Sequence, residues 1–431
     1  MLTDKFINII DSPMSSGKTN AIIRKINSEP DKKILVITPY RKEIKRICQE
    51  TRCVEPQGNE DLSGTTKIKS IGELFCRGLS ICCTHQLFKS FNQDTMDMCI
   101  FFGKYTLIVD EELTYLIEDK TGSKRKIDHA KGIIAQFSRD DFSLMIQSGY
   151  VQYDEETGQI TRNNDSSYTG IFKFIDPLFR NYDLFSINKK AIIGVFRSTI
   201  WSCFESIWLC TYMFDSSITA SYFRMNGYSF IYWHIVNNVL IKGKPSNFQY
   251  PPNLDLLHIC ENEKYNAVGI ANNALSKSWF EKNCKDKAVM KLLKNSTRNF
   301  LRSANASAKN TIWTTFSEYE KIARPPNYKT SFIACNLKAT NEYIGCFAIA
   351  YLCNRYSNPN IVNFLSKKGL DFEQRKYALS ELVQFIWRSA IRIGRPVEVF
   401  IPSSRMRNIL KEWIMSSKLV EKINQNREIV A

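Results

Sequence analysis

The chain has 431 residues, of which 44% are hydrophobic and 24% charged, which excludes a disordered chain, a collagen and a disulfide-stapled mini-protein. At about 100–200 residues per domain, that length makes two to four domains with sizeable cores. Lys plus Arg is 59 against 43 for Asp plus Glu, and the net charge of +16 points to a polyanionic partner.

In the first third, short apolar runs alternate with amphipathic stretches. Phe6-Ile7-Asn8-Ile9-Ile10 predicts a strand, Asp11 to Gly17 a turn, and Lys18 to Ile26 a helix. Ile34 to Thr38 is a continuous apolar run stopped by Pro39, with a helix expected over Arg41 to Glu50. Ser80 to Thr84 and Tyr105 to Val109 read as further strands. Continuous apolar strands separated by helices predict an α/β fold, with a parallel sheet covered on both faces.

The stretch from Asp119 to Arg162 is polar, with a basic cluster at Lys124-Arg125-Lys126 and a hairpin expected over Gly149 to Thr161. Residues 120–200 are therefore expected to be an insertion, and the strand pattern resumes at Ile207 to Phe214. The longest apolar stretch, Ala191 to Phe214, carries Arg197 and Glu205, which argues against a membrane span. Pro245, Pro251 and Pro252 mark a linker over 243–254. Beyond it, strands are expected over Leu256 to Cys260, Thr311 to Phe316, Ser331 to Cys335 and Val397 to Ile401. Helices are expected over Asn341 to Tyr356 and Gln374 to Arg392. The division that follows is a first lobe over 1–242, a second over 255–410 and a helical tail over 411–431.

Thirteen Cys lie scattered without CxxC pairs beside only four His, so no zinc-ligand spacing is present. They read as small buried apolar residues of a reducing compartment, and the expected location is cytoplasmic. Asp4, Lys5 and Asp11 interrupt the first apolar run and speak against a secretory leader.

Ser12-Pro13-Met14-Ser15-Ser16-Gly17-Lys18-Thr19 follows a predicted strand and opens a predicted helix, the context that a phosphate-binding loop requires. Its backbone N–H groups can wrap a phosphate at the positive end of the helix. Lys18 would reach the β- and γ-phosphates and Thr19 would place its hydroxyl on Mg²⁺. Ser12 stands where the P-loop pattern has its first Gly; Ser is small but less free at positive φ. Leu107-Ile108-Val109-Asp110-Glu111-Glu112 ends a buried strand in carboxylates at the edge where ligands of such sheets bind. Asp110 would hold the metal and Glu111 polarise the attacking water. Read without the loop, the same residues are a solvated acidic helix start. Gln384, Arg388 and Arg392 fall at i, i+4 and i+8, one face of the expected helix, able to contact a nucleotide and bring guanidinium charge to it. A basic solvated face is the competing reading.

This order of motifs resembles superfamily 2 helicases of the DEAD/DEAH-like type, among them phage- and virus-encoded members. The loop is similar to APTGSGKT, matching at Pro13, Ser16, Gly17, Lys18 and Thr19. Ile34 to Arg41 looks like motif Ia, Cys83-Thr84-His85 like a strand-binding motif, and Asp110-Glu111-Glu112-Leu113 like the DExx box. Asp215 to Ala220 stands in place of the Ser-Ala-Thr motif, Lys338 to Tyr343 in place of motif V, and Gln384 to Arg392 resembles motif VI with Trp387 replacing its Gly. The resemblance implies two RecA-like lobes, ATP and Mg²⁺ between them, and a nucleic-acid strand across both, DNA ahead of RNA. Lys18, Glu111, Arg388 and Arg392 would then be catalytic, and Arg395 remains a candidate finger. Ser12 to Thr19 and Gln384 would hold the nucleotide, Thr19 and Asp110 the metal. Arg41, Thr84 and Thr340 would touch the strand. The implied activity is helicase or translocase, in phage DNA replication. The sequence leaves two alternatives open: a terminase-like packaging ATPase-nuclease, and a basic nucleic-acid-binding protein with a degenerate ATP site.

Overall fold

In a computed structural model, the described residues are 5–58, 66–113, 115–118, 139–163, 170–187, 189, 191–245, 248–335 and 342–430. The first sheet takes β1 (Lys5–Asp11), β2 (Lys33–Thr38), β3 (Ile81–Thr84) and β4 (Tyr105–Asp110). Between β4 and its spatial neighbour lie β5 (Leu116–Glu118), β6 (Val151–Tyr153), β7 (Gln159–Arg162), β8 (Tyr182–Ile187) and β9 (Ala191–Phe196). The first sheet is completed by β10 (Phe204–Thr211), β11 (Tyr228–Val236) and β12 (Val239–Lys242). Its order is β12-β11-β1-β10-β4-β2-β3, parallel throughout except for the β11–β12 hairpin at one edge. Every residue of β4 is buried, as a strand sandwiched between two helical layers must be.

The five strands β5 to β9 form a separate antiparallel sheet, order β5-β9-β8-β7-β6, with a small core around Phe142, Tyr150 and Ile175. The expected insertion is thus a sheet unit of its own, joined to the first lobe through Tyr115 and Leu116, which pack into the first core. The cluster Lys124-Arg125-Lys126 lies outside the described residues.

The second parallel sheet has the order β13-β16-β15-β14, built from β13 (Leu257–Ile259), β14 (Thr311–Thr314), β15 (Ala348–Tyr351) and β16 (Val397–Phe400). Here the structure corrects three expectations. Asn341 to Tyr356 is not a long helix, because it contains β15, wholly buried between β14 and β16. An apolar run buried on both faces carries no period to separate strand from helix. Ser331 to Cys335 is not a strand and contributes a single bridge, Phe332 to Trp313. The last helix begins at Ser404 and runs to Val430, so residues from Lys411 on continue an element already in the core. Met406, Ile409, Leu410 and Trp413 are buried in it.

Candidate nucleotide cleft

The loop over residues 12–19 is anchored at its start. The Ser12 N–H donates to the Thr211 carbonyl (3.1 Å), and the Ser12 hydroxyl accepts from the Ile235 N–H (3.2 Å). The left-handed positions of the loop are Ser15 (φ 64°) and Gly17 (φ 84°), not Ser12. Serine at the first position therefore gives up no needed freedom and ties the loop to β11. Gly17 is the residue at which a side chain is excluded: an added Cβ would lie 2.3 Å from the Asn238 Oδ1 at the tip of the β11–β12 hairpin. The helix Lys18–Ser28 starts immediately after it, with no acidic residue in its first turn, so its positive end is left for an anion.

The Lys18 ammonium is turned onto the loop itself, donating to the Ser12 (2.7 Å) and Pro13 (2.9 Å) carbonyls. Burial pulls it below its ordinary value, against the neighbouring Glu111 and Asp110. One strand over and across β10, β4 delivers Asp110. Burial pushes this carboxyl up to about 7, Glu111 and Glu43 add to the push, and Lys18 and the Thr38 hydroxyl oppose it. Glu111 turns the chain off the sheet edge in a left-handed conformation (φ 67°), its N–H held by the Cys210 carbonyl (3.1 Å). His85 Nε2 meets the Asp110 carbonyl (2.9 Å).

The second lobe supplies the opposite wall. The helix Gln374–Ile386 stops six residues short of Arg392, so it carries neither Arg388 nor Arg392, which corrects the expected helix over Gln374 to Arg392. Trp387 closes the helix and donates its indole N–H to the Pro252 carbonyl (3.2 Å); Ser389 is extended, and Arg392 sits in the short turn Ala390–Ile393. Even so, Gln384, Trp387, Arg388 and Arg392 line one cavity of about 280 Å³ with Met14 to Thr19, Asp110 and Glu111. Arg388 is 6% exposed, its Nη1 has no hydrogen-bond partner, and the buried Ser16 Oγ in the facing loop has none either. Burial lowers both Arg388 and Arg392 below the ordinary guanidinium value, and Glu111 works against it. The Arg388 guanidinium lies 5.3 Å from the Phe385 ring centroid, and its free Nη1 and the Ser16 hydroxyl are the two unanswered donors of the cleft.

Other expected positions fall elsewhere. Arg41 is exposed at the start of the helix Arg41–Glu50 and is not in the cavity wall. The Thr84 hydroxyl caps the helix His85–Lys89 by accepting from the Leu87 N–H (3.1 Å). Arg395 is exposed and outside the wall, and Thr340 lies outside the described residues. Asn20, Glu43 and Arg46 line the cavity without having been expected to, and Arg46 is hydrogen-bonded to Asn20. Their signal was available, since Glu43 and Arg46 stand one turn apart on a helix that begins at a strand's C-terminal end. Asp11, also unforeseen, accepts from the Met213 (2.8 Å) and Phe214 (3.1 Å) N–H groups, and burial raises it to about 6 against those bonds. It clamps the end of β10 to the start of the phosphate loop.

Fold and site together define a two-lobed α/β protein with parallel Rossmann-like sheets and a cleft between them lined by Lys18, Asp110 and Glu111 on one side and Arg388 and Arg392 on the other. Residues 253–414 match the family model described as the YonV C-terminal Rossmann-like domain. The chain is 31% identical over 428 residues to the SPbeta prophage-derived uncharacterized protein YonV of Bacillus subtilis (strain 168), covering 96% of this chain and 99% of that one. It belongs to the YonV family. The solved structure of S. tokodaii Xpd4 is 12% identical at a TM-score of 0.45 over 95% of this chain and 94% of that one, a likeness too distant to carry an argument. Among the described residues no helix is long and apolar enough to cross a membrane.

Proposed function

We propose that the protein is an ATP-driven nucleic-acid motor, a helicase or translocase acting on DNA ahead of RNA. The observation that carries this reading is the meeting of Lys18, Asp110 and Glu111 of one lobe with Arg388 and Arg392 of the other in a single cleft. Among the described residues no three His, Cys, Asp or Glu side chains cluster as a metal cage. Mg²⁺ binds through one or two protein groups together with substrate phosphates. Thr19 and Asp110 are the groups that would hold it; once bound, it neutralises charge on the phosphates.

The protein's own contribution follows from the residues. The phosphate chain takes the place of the Ser12 and Pro13 carbonyls at the Lys18 ammonium, and accepts from the Ser16 hydroxyl. Glu111, beside Lys18, orients the attacking water. The unpaired guanidinium of Arg388 meets the charge that develops on the transferred phosphoryl group. Since the two walls belong to different lobes, binding and hydrolysis draw them together and release them. The net charge of +16 supplies the backbone-directed attraction for a strand.

The test is ATP hydrolysis with and without single-stranded DNA. Stimulation by the strand, and loss of hydrolysis in Lys18→Ala, are expected. Wild-type protein that binds DNA without hydrolysing ATP would overturn the motor reading in favour of a basic binding protein.

A further inference from the structure

A second cavity lies between the lobes and shares no wall residue with the nucleotide cleft. Its volume is about 500 Å³, within the range of small-molecule sites. Its walls are aromatic: Tyr212 at the end of β10, Trp233 on β11, Phe248 and Tyr250 on the connection between the lobes, and Trp413 on the last helix. Phe248 and Tyr250 are edge-on at 4.9 Å, and Tyr250 and Trp413 lie 5.4 Å apart.

Of the polar atoms on the lining residues, two buried ones have no hydrogen-bond partner. Trp413 is 7% exposed, and its indole N–H has no acceptor. Gln249 Oε1 is buried and has no donor. Each such orphan is costly when nothing answers it. One is a donor and the other an acceptor, so the edge that answers both offers one acceptor and one donor. The charged residues at the cavity are already engaged: Lys244 bonds Asp215 (2.7 Å) and Lys376 bonds Glu373 (2.8 Å).

We propose that this cavity is a nucleobase-binding site. A flat ring stacks among the aromatic walls, and its hydrogen-bonding edge meets Trp413 Nε1 and Gln249 Oε1. The base comes either from a nucleic-acid strand or from a free nucleoside. Because Tyr212 and Trp233 belong to the first lobe and Trp413 to the second, the bound ring is sensitive to the lobes' relative position. Trp413 also meets Trp387 edge-on at 6.2 Å, and Trp387 lines the nucleotide cleft, so the two cavities touch through one aromatic pair.

The test uses the full chain. Adenosine and thymidine are titrated by calorimetry; labelled oligothymidylate and an abasic oligomer of equal length are followed by fluorescence anisotropy. The proposal expects a nucleoside to bind, or the base-bearing oligomer to bind at least tenfold tighter than the abasic one. The first outcome identifies a free ligand and the second a strand. Gln249→Leu, and Trp413→Phe, which keeps a ring in the wall, each weaken that binding at least tenfold, Gln249→Leu with unchanged melting temperature. Lys18→Ala leaves it intact, so the site stands even if ATP hydrolysis is never found. No nucleoside binding together with equal affinity for the two oligomers overturns the proposal, as does binding indifferent to both substitutions.

Discussion

Arg388 and Asp110 are both held at a cost in the nucleotide-free protein, in opposite senses of charge. Arg388 is a buried cation with an unpaired nitrogen whose guanidinium contacts the Phe385 ring, 5.3 Å away, so on the proposed reading its removal takes away a transition-state group at little cost to the fold. For Arg388→Ala we expect kcat to fall by about 10³-fold or more while nucleotide affinity changes only several-fold. The melting temperature without nucleotide should not drop; a fall of several degrees, measured by calorimetry, would show that the guanidinium holds the fold instead. Asp110 has its carboxyl raised to about 7 by burial first and Glu111 second. The folded state therefore binds this proton more tightly than the unfolded chain does. Its contribution is present below about pH 4 and is lost as pH climbs toward 7. Asp110→Asn should flatten that part of the stability profile, melt higher than wild type at pH 8, and abolish hydrolysis. A pH profile parallel to wild type would contradict the assignment.

Elements, more than residues, decided what could be read from the sequence. The phosphate loop and the acidic strand end were readable because each is local: a strand, a turn of fixed length and a charged terminus. The second-lobe wall was not, since Gln384, Arg388 and Arg392 look like one helical face only if the helix continues. What stops it is tertiary: the Trp387 indole N–H goes to Pro252, and the Ala390 N–H to the Cys346 carbonyl. The same blindness hid β15, whose neighbours β14 and β16 lie far away in the chain. The close approach at the β11–β12 hairpin gives an element-scale prediction. Gly17→Ala meets both a left-handed backbone and the Asn238 side chain, costing about 1–3 kcal/mol from the backbone alone. Adding Asn238→Gly, which suits that residue's own left-handed backbone (φ 61°), should return the steric part and leave the backbone part, read as an incomplete recovery relative to Asn238→Gly alone in chemical denaturation. Full recovery would mean that backbone strain contributes nothing.

At the scale of the whole molecule, the last helix closes the second lobe although it follows every strand. A chain ending at Ser403 loses Met406, Ile409, Leu410 and Trp413 from the core. At about 1.5–3 kcal/mol for each apolar side chain buried, that approaches the entire stability of a domain. Such a chain should lose the second lobe's cooperative unfolding transition and keep the first lobe's, as followed by circular dichroism; an unchanged two-lobe melt would refute it. Strand binding by the intact protein should weaken about tenfold or more between 50 and 200 mM salt, as phosphate contacts release their counterions. Affinity insensitive to salt would mean the +16 charge is not what meets the nucleic acid.

The ammonium of residue 18 is latched onto two carbonyls of its own loop at 2.7 and 2.9 Å. On the proposed reading a triphosphate has to displace both carbonyls, so its attraction to the ammonium is an exchange of partners and not a gain from nothing. Calorimetry of Lys18→Ala should then show nucleotide affinity falling by less than a newly made charge-assisted contact would supply.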